Sequence, residues 1–159
     1  MIQKIKPFLW FDKEAEDAAK FYCSIFKNSK ILDVQRYPEG SPAPAGSVMI
    51  VSFELEGIQF VGLNAGPMFK FTEAISFAVA TENQEETDYL WNKLTADGGQ
   101  ESDCGWLKDK FGLSWQITPR RLIELLSSPD KQKSARVMAS MMTMKKINIA
   151  ELERAAKQQ

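Results

Sequence analysis

Whatever chemistry this chain performs is done without imidazole. None of its 159 residues is a histidine, which removes Ser-His and Cys-His nucleophile pairs, imidazole acid–base work and every His-bearing metal site. The two cysteines, Cys23 and Cys104, show no metal-ligand spacing and read as free thiols. Neutral polar groups in β-patterned stretches remain. The plainest is Gln116, in the run Cys104-Gly-Trp-Leu-Lys-Asp-Lys-Phe-Gly-Leu-Ser-Trp-Gln-Ile-Thr-Pro119. This run predicts strands over 105–110 and 113–118, turned at Phe111-Gly112, where the glycine supplies a positive φ. Alternation sets Leu113, Trp115 and Ile117 on one face and Ser114 and Gln116 on the other. The apolar face needs a helix over it. The carboxamide needs water or a ligand, because a buried unpaired polar group costs roughly 1–3 kcal/mol. A small curved sheet with a cavity into which Gln116 looks is therefore expected. Trp106 offers an aromatic wall for a flat ligand, with core or dimer packing as the alternative. Asn64, in Asn64-Ala-Gly-Pro67, either lines the cavity mouth or makes an Asx turn. Lys108 and Asp109 read as an exposed strand face and turn, and Cys104 as a structural thiol.

The elements that would position these groups come in two similar blocks. Residues 5–11 alternate as a strand, Asp12 is a candidate N-cap, and Ala15, Ala18, Ala19, Tyr22, Ile25 and Phe26 form a helical stripe. A strand over 31–37, a Pro- and Gly-rich loop over 38–46, and strands 48–55 and 58–63 joined at Glu56-Gly57 follow. The pattern then restarts with a strand over 74–80. Asn83 with Glu86 gives a capping box, a helix runs to about Ala96, Asp97-Gly-Gly99 stops it, and two or three strands end in the hairpin above. An offset of 69 pairs Phe8 with Phe77, Tyr22 with Trp91 and Ile25 with Leu94, which supports an internal duplication. The plainer alternative is that any two strand–helix units share this binary pattern.

The last forty residues are purely helical in pattern. A short helix over 120–126, a second from Ser128-Pro129 to about 144, and a third over 149–157 capped by Asn148 with Glu151 are predicted. Met138, Met141, Met142 and Met144 form adaptable apolar surface, packed either on the chain's own domain or on a second subunit.

The fold class is α+β: modules over 1–67 and 68–119 with C-terminal helices over 120–159, in one structural domain. The composition, 44% hydrophobic and 26% charged with a net charge of −1 and a pI near 5.6, gives no electrostatic case for nucleic acid or an anionic membrane. No apolar run approaches the roughly 20 residues of a membrane span. With no signal-peptide core at the N-terminus, a cytoplasmic protein is expected.

Pro7-Phe-Leu-Trp-Phe-Asp12, Phe21-Tyr22 with Ile25-Phe26, Asn64-Ala-Gly-Pro67, Ile75-Ser-Phe77, Asp88 with Trp91, the Cys104–Pro119 run and Arg136-Val-Met with Met144-Lys-Lys-Ile147 together resemble the PhnB-like family. That family is often labelled 3-demethylubiquinone-9 3-methyltransferase, within the vicinal-oxygen-chelate superfamily of glyoxalase I, extradiol dioxygenases and bleomycin- and fosfomycin-resistance proteins. The resemblance implies two βαβββ modules in a half-open mixed β-barrel, usually completed as a dimer. It also implies a divalent metal held from the first, fourth, fifth and eighth strands. Those positions fall here on Ile5, near Gln59, on Ala74, Ile75 or Ser76 (alternation favours Ala74 or Ser76), and on Gln116. An alkyl group and two neutral amides cannot hold a divalent ion as a carboxylate–imidazole set does. The expectation is a metal-free, cofactor-free cavity that binds a small organic ligand through Gln59, Asn64, Ser76, Trp106 and Gln116. Solvated strand residues are the alternative for the two glutamines, and a space-filling role for Ser76. A homodimer through barrel edges and C-terminal helices goes with it. The other functional reading is a metal-dependent isomerase, lyase or dioxygenase. The methyltransferase of the label is least favoured, since the only adjacent glycine pair, Gly98-Gly99, follows a helix instead of opening one.

Overall fold

A computed structural model describes residues 3–158. The chain divides between Lys70 and Phe71 into two compact units. The first holds β1 (Phe8–Phe11), α1 (Ala15–Ile25), β2 (Lys30–Arg36), β3 (Val48–Leu55) and β4 (Ile58–Asn64), with the sheet ordered β1-β4-β3-β2. β1 and β4 run parallel and the other neighbours antiparallel. The β3–β4 turn has positive φ at both Glu56 and Gly57, the geometry that matches the twist of a hairpin. α1 buries Ala15, Ala18, Ala19, Tyr22 and Ile25 against Val51, Phe53 and Phe60. Gly62 permits this close approach, since a Cβ there would lie 3.2 Å from the Ala15 Cβ.

The second unit repeats the plan. β5 (Ser76–Thr81), α2 (Gln84–Thr95), β6 (Gln100–Glu101), β7 (Trp106–Lys108) and β8 (Ser114–Pro119) give a sheet ordered β5-β8-β7-β6. The chain is thus two βαβββ modules, each with a four-stranded mixed sheet. Phe77, Val79, Leu107, Trp115 and Ile117 share the face on which α2 lays Leu90, Trp91 and Leu94. The helical part of the offset holds: α1 starts at 15 and α2 at 84, a difference of 69. The strands do not keep it. Leu9 and Phe11 face α1, whereas Phe8 is 59% exposed on the opposite face, so Phe8 is not the counterpart of Phe77. Three residues separate β1 from α1 and two separate β5 from α2. The strand offset is therefore 70, and a one-residue shift exchanges the two faces of a strand. With register Phe11↔Asn64 in one module and Thr81↔Pro119 in the other, Val61 corresponds to Gln116 and Gln59 to Ser114.

Three helices follow, α3 (Arg120–Leu126), α4 (Lys131–Met141) and α5 (Ile149–Lys157), and they belong to the second unit. Leu122, Leu125, Val137, Met144, Ile147 and Leu152 form their core. The tail docks on the hairpin through Cys104 N–H to the Met144 carbonyl and Gly105 N–H to the Lys145 carbonyl, each 2.7 Å. The Gln84 amide also bonds the Ile147 carbonyl and the Ile149 N–H. Several sequence expectations shift. The first strand begins at Phe8, leaving Ile5 outside it and 87% exposed, and the fifth begins at Ser76, leaving Ala74 and Ile75 before it. Asp12 does not cap α1. α4 opens at Asp130, whose carboxylate accepts from the Gln132 and Lys133 N–H groups, and not at Ser128-Pro129. It ends at Met141, where the Met142 N–H donates to the Met138 carbonyl and the Thr143 N–H to the Ser140 carbonyl. Among the described residues no helix is long and apolar enough to cross a membrane.

Candidate functional site

Each candidate residue has a definite place. Gln59 lies on β4, on the face turned from α1, and its backbone N–H and carbonyl are both held by the side chain of Gln3. Asn64 ends β4 and is 8% exposed. Its Oδ1 accepts from the Ala15 N–H at 2.8 Å and its Nδ2 donates to the Val48 carbonyl at 3.1 Å. The Asn64 carbonyl accepts from the Tyr37 hydroxyl at 2.6 Å. Asn64 thus stands at the back of a cleft of about 690 Å³ between the start of α1 and the proline loop, with Asp12, Glu16 and Asp17 on one wall and Pro42 and Pro44 on the other. Its polar atoms are consumed by the fold. Glu16 is occupied as well: the hydrogen bond from Lys20, with the Lys20 and Arg36 charges, holds its carboxyl below the ordinary range.

The second unit gathers the other three. Gln116 is the register partner of Ala78 on one side and of Trp106 on the other, so Gln116 and Trp106 share the face opposite α2. Two residues earlier along β5 and β8, Ser76 pairs with Ser114, and Ser114 with Lys108. The Gln116 Nε2 donates to the Ser76 Oγ at 2.8 Å. Ser76, Trp106 and Gln116 therefore form one patch, as alternation predicts. Ser114 belongs to it and was not among the candidates: it is 1% exposed, and its hydroxyl has no partner among the described residues. Its parity with Gln116 is readable in the sequence. Its burial is not.

The hairpin that presents this patch is held by Asp109, 3% exposed rather than a surface turn residue. One carboxylate oxygen accepts from the Phe111 and Leu113 N–H groups, and the other from the Trp115 Nε1 at 2.9 Å. This fixes the loop and locks the Trp115 ring on the α2 side. Gly112 takes the left-handed conformation the turn requires. Cys104 Sγ sits 3.7 Å from Met142 Sδ, a sulfur contact against the tail; burial pushes the Cys23 thiol up.

The donor set does not suit a divalent metal. Gln59 and Gln116 are amides, Ser76 a hydroxyl, Ile5 an alkyl group, and no three His, Cys, Asp or Glu cluster to hold an ion among the described residues.

Residues 3–118 match the family model described as 3-demethylubiquinone-9 3-methyltransferase. The chain belongs to that family. The PhnB protein of Bacillus cereus is 38% identical over 74% of this chain and 99% of its own, with a TM-score of 0.68. Protein PA1353 of Pseudomonas aeruginosa, 18% identical, covers 74% of this chain and 98% of its own at a TM-score of 0.62. The fosfomycin resistance protein FosX of Listeria monocytogenes, 14% identical, covers 75% and 94% at a TM-score of 0.50. The latter two show a shared fold. No curated protein sequence matches the chain. Within this PhnB-like family, the matched segment contains both modules and stops at β8, before the tail helices.

Proposed function

We propose that this PhnB-like protein binds a small organic molecule on the face of its second sheet opposite α2, without a metal ion. The observation that carries the reading is the grouping of Ser76, Trp106 and Gln116 on one face around the buried, unpartnered Ser114 hydroxyl. A hydroxyl in that state is unfavourable until an acceptor or donor reaches it. Trp106 supplies apolar area beside the polar groups, the usual composition of a ligand site. Gln59 and Asn64 belong to the first unit and are no part of this second-sheet face. Methyl transfer is not favoured, because neither strand-to-helix turn, 12–14 or 82–83, contains a glycine to bring backbone N–H groups close to a nucleotide donor. A homodimer is part of the proposal, supported by the exposure of Met138 and Met142; sedimentation velocity checks it.

An NMR screen of a fragment library reads the binding face directly. Perturbations should cluster at the Gln116 side-chain amide and the Trp106 indole N–H and vanish in Gln116→Leu, while Mn²⁺, Ni²⁺ and Zn²⁺ leave the melting temperature unchanged. Hits confined to other surfaces, or a stoichiometric metal whose binding depends on Gln116, overturn the reading and restore the metal-dependent enzyme.

A further inference from the structure

We propose that the second sheet grips its ligand by a carboxylate, and that Glu73 stands in for that carboxylate in the free protein. The inference rests on the binding face argued above and adds the chemical class of what it takes. Register sets Ser76, Ser114 and Lys108 side by side across β5, β8 and β7, with Ala78, Gln116 and Trp106 in the next row. Each polar group of this patch can donate a hydrogen bond. The Gln116 Nε2 spends one of its protons on the Ser76 Oγ, so the Ser76 hydroxyl accepts there and its own proton is left to point elsewhere. The Ser114 hydroxyl is buried and unpartnered among the described residues. Lys108 brings a positive charge and three N–H donors.

The complement of two hydroxyls and an ammonium is a small anion with two acceptor oxygens, and one such group is already present. The Glu73 carboxylate, from the segment leading into β5, is ion-paired with Lys108. Its side chain is 62% exposed and that of Lys108 34%, so water screens the pair and it opens readily. A ligand carboxylate arriving at Lys108 would displace Glu73 and gain the Ser114 hydroxyl, which Glu73 leaves unpaired. Charge-assisted hydrogen bonds of that kind are the strong ones. Trp106, level with Gln116, offers its ring to whatever the carboxylate is attached to, which favours a flat, aromatic acid.

The test is an NMR titration of the full chain with benzoate and with its neutral isostere benzamide. Benzoate should perturb Ser76, Ser114, Gln116 and Trp106 and bind more tightly than benzamide. Glu73→Gln, which removes the internal competitor, should tighten benzoate about two- to fivefold, the scale of an exposed ion pair. Lys108→Met and Ser114→Ala should weaken it about fivefold or more, as losing a hydrogen bond to a charged group does. Benzamide should not respond to the Glu73 or Lys108 changes. Benzamide binding on this face, lost in Gln116→Leu, with no preference for benzoate and no effect of Glu73→Gln, would sink the carboxylate and leave the binding face intact. Perturbations elsewhere, or no binding of either compound, would remove both.

Discussion

The Oδ1 of Asn64, at the end of β4, accepts a hydrogen bond from the N–H of Ala15, forty-nine residues earlier, at 2.8 Å. α1 has no cap of its own: Glu14 stands at the N-cap position without a side-chain hydrogen bond. The parallel neighbour of β1 therefore supplies from a distance what Asn83 supplies locally to α2. Asn64→Ala removes this cap and leaves the Val48 carbonyl without its donor. A loss of about 1–3 kcal/mol is expected, read by urea unfolding; an effect below about 0.5 kcal/mol would show that the bond contributes little.

Asp109→Asn keeps the shape of the side chain and replaces an acceptor with a donor. Two backbone N–H groups and the Trp115 indole N–H converge on that carboxylate, so one of them must lose its bond. Destabilisation of about 2 kcal/mol is expected, with a changed near-ultraviolet circular dichroism spectrum from Trp115. An unaltered spectrum would contradict the assigned contact.

Gly105 has φ +84°, and a Cβ there would lie 2.8 Å from the Ile117 carbonyl oxygen and 3.2 Å from Ile147 Cγ1. Gly105→Ala should cost at least about 1–2 kcal/mol from backbone strain and overpacking. It should also raise amide exchange at Cys104, whose N–H is held by the tail. Gly40→Ala is the contrast, with a positive φ and nothing within 4 Å, so only the conformational part of the cost remains.

Asp88 on α2 is tied to the tail by Lys146 at 2.8 Å and accepts a hydrogen bond from the Gln84 amide within its own helix. The hydrogen bonds from Lys146 and then Gln84 hold its carboxyl below its ordinary value of 3.8. A depressed pKa stabilises the fold above the unfolded value, and that contribution is lost as pH falls through the lower folded one. Asp88→Asn should therefore flatten the acid limb of the stability curve below about pH 4 and cost less than about 1 kcal/mol at pH 7, because the pair is partly exposed. Equal acid limbs in the two proteins would show that other carboxylates carry the dependence.

What the sequence made legible was local. Asn83 and Glu86 announce α2 within four residues, Glu56-Gly57 announces its hairpin, and alternation along β8 is enough to send Gln116 and Trp115 to opposite faces. The misses are all long-range or competitive. Asp12 was the nearest plausible cap for α1, but a residue arriving from β4 holds it. Ser128-Pro129 offered one helix start, and Asp130, two positions on, accepts two N–H groups and wins. A single residue of difference in the strand-to-helix turns was enough to move the β1 and β5 faces out of the helical offset. For the site, the pattern gave the side of the sheet on which Ser76 and Gln116 lie, but burial of the Ser114 and Asp109 side chains depends on the neighbours brought by tertiary packing.

The docking of the tail on the hairpin also bears on where this protein can be cut. The family-model match stops at residue 118, yet the unit that folds does not. A fragment trimmed to the shared segment would strip two backbone donors at 104 and 105 of their acceptors and leave Gln84 without either tail partner. The matched segment and the cooperative unit have different borders, and a fragment designed on the first would be expected to aggregate where the whole chain does not.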